Sequence, residues 1–471
     1  MKIVVCVRQG LDGEINPFDA SAYEAALRIG NAEVILLSMG PRSVGDFLLR
    51  LTRLGAKRGI LLSDKIFAGA DTLATAYTLS LAINKIDPEL VFCGRQTLVG
   101  DTGQTGPMLS VFSARNLVSG VMELKRTGEQ ILCSTRDGET VQAELPALLT
   151  VERTYHLRLP SILSKPGQVE TWDAETIGAA PERCGLKGSP TRVLETFENH
   201  TGKRNCRFIQ LSELPEAIAA AKQKSSAVVP TQNGEKSLKK VCIVGESPRS
   251  FGETVSENIV VLPVGAVEEL AQKIREEDPS AVLWGSDTLS KSLAAKVSAF
   301  LGLGLCADCT ALEADGDNLI MYRPALSGSL IAKIVSLTKP AMATVRTAGR
   351  SGDIMVAAGW GVKDRMETVK AFAAGLQAEL VASRKMVDNG VLPYTMQVGL
   401  TGKTVTPPLY IAIGVSGAVH HIAGMQRAGT VIAINPDREA PIFQYADYGI
   451  PEAFDSRVLE AVSMMTKLMQ F

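Results

Sequence analysis

The residues with the most chemical potential are a glycine turn leading into paired histidines, Gly414-Val-Ser-Gly-Ala-Val-His-His421, and a cysteine pair, Cys306 and Cys309. CxxC spacing suits a zinc site only when a second ligand pair completes it, and the other cysteines of the eight are scattered. Cys306 and Cys309 therefore read as small buried residues after a strand, and scattered thiols suit a reduced, cytoplasmic protein. The glycine turn reads differently. Leu409–Gly414 is a strand, Ala418–Met425 a helix and Thr430–Ile434 the next strand, ending at Asn435-Pro-Asp437. A strand, tight turn and helix place backbone N–H groups where a pyrophosphate can bind. The turn is not a GxGxxG fingerprint, and a plain packed βαβ unit explains the same residues. No triad, paired-carboxylate or metal-ligand signature accompanies it, so no catalytic residue and no metal is assigned.

These residues need a large frame. The chain has 471 residues, which at roughly 150 per domain predicts about three domains. With 49 Lys+Arg against 50 Asp+Glu there is no overall bias toward nucleic acid or anionic membrane. An apolar fraction of 46% with 42 glycines suits a folded α/β protein and excludes a mostly disordered one. Arg8 interrupts the first apolar run, so it reads as a strand rather than a secretory signal. Thr404 to Gln426 is uncharged and long enough to span a bilayer, yet Pro407-Pro408, Ser416-Gly417 and His420-His421 make it a buried strand, loop and helix.

The chain also repeats itself. Pro88-Glu-Leu-Val-Phe-Cys-Gly-Arg-Gln-Thr-Leu98 matches Pro279-Ser-Ala-Val-Leu-Trp-Gly-Ser-Asp-Thr-Leu289, and Leu145-Pro-Ala-Leu-Leu-Thr-Val151 matches Lys339-Pro-Ala-Met-Ala-Thr-Val345. The offsets, 191 and 194, fit two copies of a whole domain rather than a solenoid. Alternating β-branched runs and amphipathic stretches predict two related, doubly wound α/β domains and a C-terminal α/β domain. The expected boundaries are 1–230, 237–346 and 350–471, with Thr231–Lys236 as a polar join.

Taken together, the motifs resemble the electron-transfer flavoprotein family, with its β and α subunits joined in one polypeptide. The β-like segments are Asn16-Pro-Phe-Asp19, Phe67–Thr75, Cys93-Gly-Arg-Gln96 and Gly100–Pro107; the α-like ones include Ala307-Asp-Cys-Thr310, Arg323-Pro-Ala325, Ala382-Ser-Arg384, Gln397–Lys403, Gly414–His421 and Glu439–Gln444. The resemblance implies FAD in the C-terminal domain, contacted by Ser383, Arg384, Gln397, Val398, Gly399, Leu400, Thr401, Ser416, Gly417, Ala418, His421 and Asn435. In such a site Arg384 lies over the isoalloxazine, Thr401 reaches the flavin N5, His421 stands near the C2 carbonyl, and Ser416–Ala418 cradle the pyrophosphate. His420, where the family has Gln, packs or faces solvent. The first half is expected to hold AMP, or a second FAD, at Cys6, Asn16, Met39, Gly100, Asp101, Gln104, Thr105 and Gly106.

The implied function is electron carriage from partner flavin dehydrogenases to a quinone oxidoreductase or other acceptor, with no nucleic acid and no membrane-embedded segment. The alternatives are an electron-bifurcating relative with a second FAD that oxidises NADH, and a non-redox adenine-nucleotide-binding regulator. Tyr155-His-Leu-Arg-Leu-Pro-Ser-Ile-Leu163 is apolar without helical or strand period, which predicts an exposed loop. The resemblance makes Leu159 its docking residue. Three departures from the family stand out: Trp360 where an Arg touches the FAD phosphates, with Arg350 or Lys363 as candidate substitutes, Leu400 in place of Gln, and Ala453 in place of Asp.

Overall fold

The structure is a computed structural model describing residues 1–457 apart from 11, 98–99, 101, 129, 199–202, 224–235, 326–329, 347–353, 400–401 and 404. The chain forms two compact units. One comprises Met1–Phe197, Gln232–Leu326 and Ile331–Thr347; the other comprises Glu198–Thr231, Ser327–Leu330 and Ala348–Phe471.

The first unit opens with β1 (Lys2–Cys6), α1 (Pro17–Arg28), β2 (Glu33–Met39), α2 (Val44–Thr52), β3 (Arg58–Leu62), α3 (Thr72–Ile86), β4 (Leu90–Gly94), α4 (Thr105–Phe112), β5 (Asn116–Thr127), β6 (Gln130–Thr135), β7 (Thr140–Gln142), β8 (Ala147–Val151) and β9 (Gln168–Trp172). The sheet order is β7-β6-β5-β8-β4-β1-β2-β3-β9. Strands β1 to β3 wind one way and β4 lies on the other side of β1, so the winding reverses between β1 and β4. Local chemistry supports each turn of this frame: the Asp71 carboxylate accepts from the Leu73 and Ala74 N–H groups to start α3, which ends at left-handed Asp87. The antiparallel ribbon of β5, β6 and β7 has no counterpart in the sequence reading. Between β8 and β9 the apolar loop projects outward, with Leu159, Ile162 and Leu163 about nine-tenths exposed, while Tyr155 Oη accepts from Leu124 N (2.7 Å) and Arg158 pairs with Glu24 (2.9 Å).

Beyond it, β10 (Thr191–Glu198) leaves this sheet, and β11 (Arg207–Phe208) with α5 (Leu214–Gln223) leaves the unit. The second copy runs β12 (Val241–Val244), α6 (Arg249–Val255), β13 (Ile259–Leu262), α7 (Val267–Glu277), β14 (Ala281–Trp284), α8 (Thr288–Leu301), β15 (Leu305–Cys309), β16 (Ala311–Asp315), β17 (Asn318–Ala325), β18 (Leu330–Ser336) and β19 (Ala341–Val345). Its parallel sheet has the order β13-β12-β14-β19-β15. The repeated segments are the paired strands β4–β8 in one copy and β14–β19 in the other. Strands β16, β17 and β18 form a separate sheet with β10. The two copies do not keep separate cores: Ile83, Leu109 and Leu148 share one apolar cluster with Trp284, Val297 and Met342, where α4 packs on α8. Cys306 and Cys309 are buried on β15, with the Cys309 thiol toward the Cys306 carbonyl. No cluster of three or more metal-ligating side chains occurs among the described residues.

The second unit contains β20 (Ile354–Ala358), α9 (Met366–Gly375), β21 (Glu379–Ala382), α10 (Arg384–Asp388), β22 (Leu409–Ile413), α11 (Val419–Met425), β23 (Thr430–Ile434) and β24 (Tyr448–Ile450), with sheet order β11-β24-β23-β22-β20-β21. Its membership corrects the expected boundary at 230. Residues 203–223 belong here, because Leu214, Ala217, Ile218 and Ala221 recur at helical spacing and bury in the same core as Ile411 and Phe372. Strand β11 pairs with β24, and the Arg204 guanidinium binds the Asp447 carboxylate and the Ala428 and Gly429 carbonyls. The expected join at 231–236 lies almost wholly outside the described residues. No helix among the described residues is long and apolar enough to cross a membrane.

Ile218 is fully buried, so Ile218→Ala removes three methyl or methylene carbons from the second unit's core and costs about 2–4 kcal/mol. Calorimetry of the full chain should show the second unit's transition lowered and the first unit's unmoved; an unchanged second transition would remove α5 from that core.

Candidate functional site

In the second unit the winding reverses between β20 and β22, and ligands of open α/β sheets sit beyond the strand ends at such a point. Two backbones meet there. Gly359 N donates to Ile413 O (2.7 Å) and Gly361 N to Gly414 O (3.1 Å). A Cβ on Gly359 would overlap the Gly414 carbonyl, so only glycine permits this approach. The chain then turns through Ser416 and Gly417. Gly417 has φ +90°, a Cβ on it would overlap the backbone of Ile442, and Ile442 N donates to Ser416 O (3.1 Å). The turn before α11 is thereby held rigid with Ser416 and Ala418 exposed.

A second loop lies on α11. Val398 N donates to Ala382 O (2.9 Å), and Gly399 N to Lys403 O (3.1 Å). Gly399 has φ +145°, and a Cβ there would approach His420 O to 2.8 Å. Gln397 is buried beside it. Ser383 follows β21, its N–H donating to Ala358 O (2.9 Å), and Arg384 opens α10 with its Nε 3.3 Å from Asp388 Oδ2. Leu400 and Thr401 lie outside the described residues.

His421 is buried at the first turns of α11. Its Nε2 is 2.9 Å from Tyr410 Oη on β22, and among the described residues its Nδ1 has no hydrogen-bond partner of normal geometry, the Val398 backbone interacting with the ring more loosely. Burial holds the Tyr410 phenol well above its ordinary pKa, and its hydroxyl has no other partner among the described residues, so it donates to Nε2. The proton of neutral His421 then resides on Nδ1. Tyr410 was not among the sequence candidates; the only signal was one polar atom inside an otherwise aliphatic strand, Leu-Tyr-Ile-Ala-Ile. His420 is half-buried rather than solvated, its Nε2 has no hydrogen-bond partner among the described residues, and desolvation and then the Arg384 charge depress its pKa. Asn435 ends β23 with its amide donating to Val415 O (2.9 Å) and accepting from Asp437 N (2.9 Å), so it positions the turn.

The structure thus gathers Ser383, Arg384, Gln397, Val398, Gly399, Ser416, Gly417, Ala418 and His421 around one sheet edge. The residues fit a flavin dinucleotide: glycines press two loops together so that backbone N–H groups gather at one sheet edge, and a buried imidazole stands beside them.

In the first unit the winding reversal between β1 and β4 gathers Cys6, Asn16 and the turn at Gly100. Cys6 pairs in register with Cys93. Asn16 is buried with its amide donating to Gln96 O (3.0 Å), and Met39 ends the neighbouring strand. Asp19 ties the edge together: it accepts from Arg8 N (2.8 Å), Gly94 leaves no room for a Cβ beside it, and burial pushes its carboxyl up to about 7. The Gly100 carbonyl accepts from Arg323 Nη2 (2.8 Å), while the buried Arg323 Nε has no hydrogen-bond partner among the described residues. Gln104 and Gly106 have evident packing roles. Gln104 accepts from the Thr72 hydroxyl (2.9 Å) and donates to Leu305 O (3.4 Å), and a Cβ on Gly106 would overlap the Thr150 methyl group. Thr105 begins α4, and Asp101 lies outside the described residues.

Burial lowers the His421 pKa from 6.5 to about 4, the Val398 backbone offsetting this in part. Above pH 6.5 both folded and unfolded chains hold the ring neutral; below it the unfolded chain takes up the proton first. Stability present at pH 7 is therefore lost as pH falls from 6.5 through 4, by up to about 3 kcal/mol. Thermal melts of His421→Gln should lack this share of the acid sensitivity, and parallel pH curves for wild type and variant would show that His421 is not the titrating group.

Comparison with known proteins agrees with this geometry. Residues 3–177 and 261–371 match the model of the electron transfer flavoprotein domain, and residues 350–426 match that of the electron transfer flavoprotein FAD-binding domain. Protein FixA of Azorhizobium caulinodans is 35% identical over 233 residues, covering 45% of this chain and 83% of that protein. The electron transfer flavoprotein subunit alpha of Thermoanaerobacterium thermosaccharolyticum is 37% identical over 232 residues, covering 39% of this chain and 69% of that protein. The subunit beta of the same organism is 36% identical over 207 residues, covering 41% and 80%. Alpha and beta relatives match different parts, β-like first and α-like second. The chain belongs to the electron transfer flavoprotein family, with both subunit types joined in one polypeptide and an FAD-binding domain in its second half.

Proposed function

We propose that this chain carries electrons from partner flavin dehydrogenases to a quinone oxidoreductase or another acceptor in the cytoplasm, on one FAD held by the second unit. The observation that carries the proposal is the β20–β22 edge, where the glycine-locked turn, Arg384 and the buried His421 converge inside the stretch matching the FAD-binding domain. When bound, FAD supplies reversible electron storage. The protein's own part is placement. The Ser416–Ala418 backbone would receive the pyrophosphate, His421 would donate its Nδ1–H toward the flavin C2 carbonyl with Tyr410 fixing its tautomer, and Arg384 would add positive charge beside the ring. The exposed Leu159 at the tip of its anchored loop suits docking, because an apolar side chain about nine-tenths in solvent gains by burial against a partner.

In the first unit we assign AMP to the β1–β4 edge, with the amides of Gly100 and Thr105 toward its phosphate. A second reading, in which this edge holds another FAD that takes electrons from NADH, is favoured by Arg323, whose buried and incompletely partnered guanidinium adds positive charge behind the Gly100 turn.

Purified protein should be yellow with about one FAD per chain, and chromatography of heat-released nucleotides should give AMP in equal amount. Two FAD and no AMP would establish the second reading, and protein left colourless after incubation with FAD would end both. Arg384→Ala should lower the flavin midpoint potential, with about 1–2 kcal/mol less stabilisation of the added negative charge. An unshifted potential would take Arg384 away from the ring. Leu159→Ala should slow reduction by the cognate dehydrogenase several-fold with FAD content and melting temperature unchanged; equal rates would move docking elsewhere.

A further inference from the structure

The CxxC pair on β15 lies outside the residues assigned to either nucleotide edge. In a regular strand residues three apart face opposite sides of the sheet, yet Cys306 and Cys309 bury in the same apolar cluster, together with Ala343 and Val345 of β19. The strand pairing explains this. Cys306 stands opposite Ala343 and Cys309 opposite Val345, so three steps along β15 span two along β19 and one residue bulges. Asp308 makes the bulge: it has φ +59°, its N–H donates to Thr344 Oγ1 (2.8 Å), and its carboxylate is held by Arg346 and by Lys291 (3.2 Å). Partners two residues apart on one strand set the two cysteine Cα atoms roughly 6.6 Å from each other, inside the range of about 4.4–6.8 Å that a disulfide bridges. The Cys309 thiol points back along the strand, toward the Cys306 carbonyl (3.8 Å).

The surroundings make the two thiols unequal. Contact with Cys309 and then the Arg323 charge hold the Cys306 thiol below its ordinary pKa against the effect of burial, whereas burial and contact with Cys306 push that of Cys309 well up. We infer that Cys306 and Cys309 form a redox-active dithiol that a small peroxide converts to a disulfide, with Cys306 attacking and Cys309 resolving. The Cys306 thiolate attacks one oxygen of hydrogen peroxide and breaks the O–O bond, giving a sulfenic acid and a hydroxide that leaves as water with the proton Cys306 gave up. The Cys309 sulfur then attacks the sulfenic sulfur; the S–S bond forms and the hydroxyl group leaves with the Cys309 proton as a second water. Two electrons pass from the thiols to the peroxide. Both cysteines are at most 3% exposed, which selects an oxidant close to water in size over a bulky disulfide, and β15 lies at the edge of its sheet, where such an oxidant enters.

The test exposes the folded full-length chain to hydrogen peroxide, alkylates the remaining thiols in denaturant and maps tryptic peptides by mass. Both cysteines fall in the peptide Val297–Arg323. In wild type this peptide should be unalkylated and lighter by two hydrogens than its reduced form, and it should take two alkyl groups if dithiothreitol precedes alkylation, while Cys133 and Cys242, whose thiols burial pushes up to about 11, are alkylated throughout. Cys309→Ser should stop the reaction at a sulfenic acid on Cys306, trapped by dimedone, and Cys306→Ser should leave Cys309 without a dimedone adduct. Arg323→Gln should slow disulfide formation about tenfold by removing the charge that favours the thiolate. Alkylation of both Cys306 and Cys309 in peroxide-treated wild type, under conditions that oxidise Cys133 or Cys242, overturns the dithiol. That result needs no variant, so it decides even where a substitution disturbs the core. A dimedone adduct on Cys309 in Cys306→Ser overturns the assignment of attacking and resolving thiols.

Discussion

The constraint on which the second unit depends is the contact of two backbones at Gly359 and Gly414. Nothing larger than hydrogen fits between them, and two N–H···O bonds hold the loops after β20 and β22 in register. Because the loops cannot separate, the residues that follow each one have fixed origins. Trp360 and Lys363 issue from one loop, Ser416 and Gly417 from the other, and α11 carries His421 behind them. Backbone geometry thus sets a site that side chains only refine, and a substitution at either glycine would disturb every group at once.

The first unit uses the same design with a different lock. At the β1–β4 edge a buried carboxylate, Asp19, gathers backbone N–H groups from the ends of two strands, and Gly94 is small because that carboxylate needs its space. Where the second unit joins loops through backbone alone, the first uses an ionisable group that titrates near neutrality. The second copy of the repeat retains the sheet order but ends in the separate β16–β18 sheet, and its most buried large side chain, Trp284, serves the common core.

Much of this was legible in the residues. The parallel strands are short β-branched runs suited to a covered sheet, and the internal repeat marks the paired strands β4–β8 and β14–β19. The turn Ser416–Gly417 was visible because glycine there answers a steric need. Other parts had no sequence signal of their own. The β5–β7 ribbon is half-exposed and carries no continuous apolar run. Helix α5 shows which of its faces is apolar but not which core receives it, and so it was assigned to the wrong unit. Tyr410 and Asn435 act through partners eleven and twenty residues away, a relation fixed by strand pairing rather than by spacing. Trp360 was legible only as a missing arginine; that Lys363 and Lys385 both approach its ring depends on α10 lying beside it.

The placement of α5 bears on how such a polypeptide could be divided. The chain passes between its two units near residues 198, 231, 327, 331 and 348, so neither unit is a single stretch. A cut between Gln223 and Ser237 would yield two polypeptides, yet the first would still own one helix and one strand of the second unit's sheet and core. The products would be interlocked partners, each incomplete alone, and their dissociation would require stripping Leu214 and Ile218 from an apolar interior. Severing the covalent link would thus turn intramolecular folding into obligate heterodimer assembly.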